Sequence, residues 1–140
     1  KKAYLLARPS NAAVADLVAR VPEGQREAVR KVYEQMKEDA TYWLGIVTLS
    51  EGDYEIAIDY LGRMTLLASP DGRWASAARV NLAEAKIQTG DTQGAVELLR
   101  EDRSPQRFGS RFRAQQVAPG GTPKAPTKQP EDETKTDPSE

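Results

Sequence analysis

The chain has 140 residues, 20 Lys and Arg against 21 Asp and Glu for a formal charge of −1, and neither Cys nor His. The two absences exclude disulfides, thiol or imidazole catalysis and zinc sites of the Cys/His kind, and the balanced charge gives no overall pull toward nucleic acid or an anionic membrane. No Gly-rich phosphate loop, paired acidic motif or Gly-x-Ser-x-Gly occurs, and no apolar run nears the roughly 18 residues of a membrane span, so no enzyme, cofactor, metal or integral membrane segment is expected.

Apolar residues recur at helical spacing along the chain, and nowhere do they alternate over a useful length, so an all-α fold is expected. Ser10 or Asn11 can cap a short helix with Val14, Leu17, Val18 and Val21 on one face, ended by Pro22. No breaker follows from Glu23 until Gly52. Val29, Val32, Tyr33, Met36, Ala40, Trp43, Leu44 and Val47 keep one face continuous, which predicts a single long helix. A break between Lys37 and Thr41 is the alternative. Asp53 opens a further helix carrying Tyr54, Ala57, Ile58, Leu61, Met64 and Leu67, and Ser69-Pro70-Asp71-Gly72 stops it with turn chemistry. Helices are then expected from about Arg73 to Thr89 and from Thr92 to about Glu101.

Ser104 as N-cap and Pro105 at the first helical position predict a last, capping helix over 106–117. Phe108 and Phe112 stand four apart, the spacing of a face packed onto the preceding helices, which leaves Arg103, Arg107, Arg111 and Arg113 on the solvated side. Residues 118–140 contain five Pro and no Leu, Ile, Val, Phe, Tyr or Trp, and read as a disordered tail.

Two stretches repeat one another at an offset of 38 residues. "EGDYEIAIDYLGRM" from Glu51 and "TGDTQGAVELLRED" from Thr89 pair Gly52 with Gly90, Asp53 with Asp91 and Ala57 with Ala95. Each Gly can end a helix in the left-handed conformation, and each Asp can accept hydrogen bonds from the next helix's first turn. The product is a helix hairpin with a very short turn. Gly45 costs roughly 1 kcal/mol relative to Ala in mid-helix, and its counterpart is Ala83, so small residues at matched places predict a close helix crossing.

"TYWLGIVTLSEGDYEIAIDYLGRM" resembles a tetratricopeptide repeat through Leu44-Gly45, Gly52-Asp53-Tyr54 and Ala57, and "RVNLAEAKIQTGDTQGAVELL" through Leu82-Ala83, Gly90-Asp91 and Ala95. The family period is about 34 residues; the surplus here falls in "LASPDGRW", as in the longer-turn repeats of bacterial cell-envelope proteins, which makes an envelope location a possibility the resemblance raises. Thr41 and Thr48 stand where the family commonly has aromatic residues. The resemblance implies a right-handed α-solenoid, with N-terminal flanking helices over 1–37, two repeats over 38–105 and the capping helix after them.

It also implies a protein-interaction scaffold that binds a protein or peptide segment in a groove lined by the first helix of each repeat. By position that groove holds Asp39, Tyr42, Ile46 and Leu49, then Ala77, Val80, Glu84 and Ile87. The Lys, Arg and Asn of the family's carboxylate clamp are missing at those positions, although Arg79 and Asn81 lie nearby. Tyr42, Ile46 and Leu49 packed against the N-terminal helices is the competing reading. For the whole chain, the alternative to the scaffold is a structural C-terminal cap on a longer solenoid. Nucleic-acid binding is not expected.

Overall fold

The computed structural model of the chain describes Lys2, Leu5 and residues 8–120. Among the described residues the fold is all-helical, with no strand. The tail expected over 118–140 therefore lies outside the described residues except for Ala118, Pro119 and Gly120.

Helix α1 spans Asn11–Ala19, and the Ser10 hydroxyl caps it by accepting from the Ala13 N–H at 3.1 Å. A single 3-10 turn, Glu23–Gln25, leads into α2, which runs unbroken through Arg26–Glu51. The reading as one long helix holds. The boundary drawn at residue 37 falls inside it. The two halves of α2 differ in cover: Val32 and Met36 are exposed, whereas Ala40, Thr41, Tyr42, Leu44, Gly45 and Thr48 are buried.

The first hairpin turn follows from Gly52. At φ 82° it takes the left-handed conformation, its N–H reaching the Leu49 carbonyl and the Asp53 N–H the Thr48 carbonyl. Thirty-eight residues on, Gly90 at φ 87° sends its N–H to the Ile87 carbonyl, and the Asp91 N–H bonds the Lys86 carbonyl. Each is a Schellman closure, and the two match bond for bond. Asp53 and Asp91 share their backbone as well (φ −79°, ψ 61° and φ −80°, ψ 60°), although only the Asp91 carboxylate forms the capping bond, to the Gly94 N–H at 2.9 Å.

Helix α3, Tyr54–Ile58, begins directly and continues as a π-helix, Asp59–Leu66. The widened turn lets the Thr65 hydroxyl donate to the Tyr60 carbonyl at 2.8 Å, and the Leu67 N–H reaches back to Gly62. Extra backbone per turn shifts the buried face by one residue. Leu61, Thr65 and Leu66 are inside as a result, and Leu67, expected on the apolar face, is 73% exposed.

Helix α4 spans Ala75–Gln88, α5 Thr92–Arg100 and α6 Arg107–Val117. Each of α2 to α6 packs chiefly on its neighbours in sequence, and the chain reverses sharply at the Gly52 and Gly90 turns. Two clusters make the core. Tyr42, Ala57, Leu61, Leu66, Ala75, Ala78, Leu82 and Ala85 form one, and Ala83, Ala95, Val96, Leu99 and Ala114 form the other; Leu98 packs on both.

Gly45 lies where α2 and α3 cross. A Cβ there would stand 2.6 Å from Leu61 Cγ and 3.3 Å from Tyr60 Cβ. Gly45→Ala should thus lower stability by about 1–3 kcal/mol through overpacking, although Ala gains roughly 1 kcal/mol of helix propensity. Urea denaturation is the measurement, and a stabilised variant would show that the crossing has room to spare.

Candidate interaction surfaces

The residues at the expected repeat positions serve the core and the turns. Leu44, Ala57 and Ala95 are fully covered, Leu82 and Ala83 nearly so, and the small residues stand where neighbouring helices approach.

The expected groove divides in two. On α2, Tyr42 is only 6% exposed, and Ile46 and Leu49 pack partly buried against the first core cluster. Trp74 covers one face of Tyr42. Their rings stack at 4.3 Å with an interplanar angle of 7°, and Trp43 meets Trp74 edge-on at 5.7 Å. Trp74 comes from the surplus stretch between α3 and α4. It is held in place by its indole N–H, which donates to Asp39 at 2.7 Å, and by Arg73, whose guanidinium lies 4.9 Å above its ring. Burial pushes the Tyr42 phenol above its usual value. An aromatic residue just beyond a long turn was the available signal for this stack.

The α4 half is more open. Val80 is exposed, and with Asn81, Glu84, Ile87 and Arg113 of α6 it lines a cleft of about 190 Å³. The Gln88 amide at 2.9 Å and the Arg113 guanidinium at 3.1 Å hold the Glu84 carboxyl below its usual range. Arg79 and Asn81 are committed internally. Arg79 donates to the Leu98 carbonyl at 3.2 Å, and Asn81 to the Ala77 carbonyl at 2.8 Å and the Tyr42 hydroxyl at 3.4 Å. They do not form a carboxylate clamp.

Helix α6 starts at Arg107, two residues after Pro105. Ser104 still makes the bond expected of a cap, its hydroxyl accepting from the Gln106 N–H, and its carbonyl accepts from the Arg107 N–H. The helix presents the face opposite to the one expected. Ser110 and Ala114 are buried against α5, while Phe108 is 67% and Phe112 56% exposed. The cause is a polar anchor. Asp102, 2% exposed, accepts from the Ser110 hydroxyl at 2.5 Å and the Ser104 N–H at 2.9 Å, which fixes the rotation of α6. The outer face then carries Phe108 and Phe112, with the Arg107 guanidinium 4.7 Å over the Phe108 ring.

Among the described residues no helix is long and apolar enough to cross a membrane, and no group of three or more His, Cys, Asp or Glu could hold a metal ion. No family model, curated protein or solved structure matches the chain.

Burial by itself would raise Asp102, but the Ser110 and Ser104 hydrogen bonds and the nearby Arg79 charge outweigh it and hold the carboxyl below its usual range. A folded value below the unfolded one, about 3.9, stabilises the fold above that pH, and the contribution is lost as pH falls through the folded value. Asp102→Ala should cost about 1–3 kcal/mol near neutral pH by stranding its donors. It should also weaken the fall of melting temperature between pH 6 and pH 3. Melts across that range check both, and an unchanged acid slope would remove Asp102 from the account.

Proposed function

We propose that the chain is a protein-interaction or assembly scaffold of the tetratricopeptide-repeat type, binding a protein or peptide partner. The matched Schellman turns and the packing of each helix on its neighbours in sequence support the repeat reading. The observation that carries the functional part is the exposure of Phe108 and Phe112 together on the outer face of α6. Aromatic side chains left in water one helical turn apart are the material of interface hot spots. The cleft at Val80 and Glu84 offers a second, smaller contact on the adjoining helix, whereas Tyr42 contributes by positioning α4.

The alternative, a structural cap closing a longer solenoid, calls for a polar outer face on the last helix. The two phenylalanines on α6 favour the scaffold over that cap.

The test is a doubly substituted chain, Phe108→Ser with Phe112→Ser, beside a chain carrying a photo-crosslinking residue at position 112. Substitutions at exposed positions should change stability by no more than about 0.5 kcal/mol each. Partner capture at position 112 should name a discrete protein, and the double variant should bind that protein at least about tenfold more weakly, since hot-spot truncations exceed about 1 kcal/mol. Equal affinity would sink the reading. A large loss of stability would instead mean that the aromatic pair belongs to the fold.

A further inference from the structure

Between the turn that precedes α4 and the turn that precedes α6 lies a recess of about 850 Å³, lined by Arg73, Arg79, Arg100, Arg103 and Arg111. Two of these are spent, Arg73 on Asp39 and Arg79 on the Leu98 carbonyl. Among the described residues, Arg100, Arg103 and Arg111 have no ion-pair or hydrogen-bond partner. The recess also holds three acids, but Asp102 is occupied by Ser104 and Ser110, which leaves Asp71 and Glu101 facing three free guanidiniums. The N-terminal end of α6 opens at the same place and adds the partial positive charge of a helix start.

The sequence contains a segment of complementary charge. Glu131, Asp132, Glu133, Asp137 and Glu140 lie within ten residues that include one cation, Lys135. We propose that this segment, 131–140, docks in the arginine recess of its own chain.

Reach permits it. Ten residues lie between Gly120 and Glu131, and the eleven steps from one to the other, at up to about 3.5 Å each, span roughly 38 Å. Helix α6, which the chain must retrace, is about 16 Å long. The absence of large apolar residues from 118–140 is no obstacle, because the attraction is ionic. Tethering supplies an effective concentration on the order of millimolar, so weak individual pairs are enough. A phosphate backbone fits less well, since evenly spaced charges would meet Asp71 and Glu101 on the rim as well as the arginines. Lys135 gives the segment a cation to set against those acids.

The chain has no cysteine, so Ser139→Cys provides a single site for a nitroxide label on the full-length protein. At about 0.01 M salt, where the screening length is about 30 Å, backbone amides of residues 100–111 should lose most of their NMR intensity. They should recover at about 1 M salt, where that length is about 3 Å. The combined Arg100→Glu, Arg103→Glu and Arg111→Glu variant should abolish the broadening at low salt. These side chains are exposed, so the rest of the spectrum should keep its dispersion. Sharp amides over 100–111 in the labelled wild type at low salt would overturn the proposal, as would broadening that survives high salt. Broadening that appears only between separately labelled and isotope-enriched chains would assign the segment to a neighbouring copy, and would overturn it as well.

Discussion

A helix that reverses within two residues must lay its last turns against the first turns of the next helix. Gly52 and Gly90 impose this constraint by taking a backbone conformation that a Cβ would penalise. Once the chain turns at Gly52, Leu61 of the following helix falls against the backbone of α2, and Gly45 is the residue that lets it lie there. The same reversal at Gly90 brings Ala95 and Leu99 onto Ala83. Both core clusters are consequences of two left-handed glycines, each seven residues beyond a small residue at a crossing.

The helices and the hairpin turns were legible in the sequence because their causes are local. At Gly52-Asp53 and Gly90-Asp91 the Gly closes one helix and the Asp precedes the next, and the apolar spacing on either side states which elements pair. The π segment at Asp59–Leu66 was not legible, since its periodicity is that of an ordinary helix and the change of turn shows only in where Leu66 and Leu67 end up. The facing of α6 was misread for a different reason. A pair four residues apart marks a helix face without saying whether that face is inward. The decision rests with Asp102 and Ser110, eight residues apart and unremarkable in sequence, whose hydrogen bond turns the small side of the helix inward.

Of the candidate groove, the sequence located the right helices but could not say how close they stand. Tyr42 is covered because the stretch before α4 returns Trp74 to it, a contact across 32 positions that no local pattern encodes. The added length in that turn thus replaces an open surface with an aromatic joint. Open surface moves toward α6, to the cleft at Val80 and to the outward phenylalanines.

The aromatic joint has a spectroscopic consequence. Both tryptophans of the chain, Trp43 and Trp74, sit within that one cluster. Indole emission therefore reports the docking of α2 on the start of α4 and is blind to α5 and α6, whose closure rests on Val96, Leu99, small alanines and a buried carboxylate. Fluorescence and far-ultraviolet dichroism observe different parts of this protein. Their unfolding curves coincide only if the two core clusters come apart together, with Leu98 as the side chain that couples them.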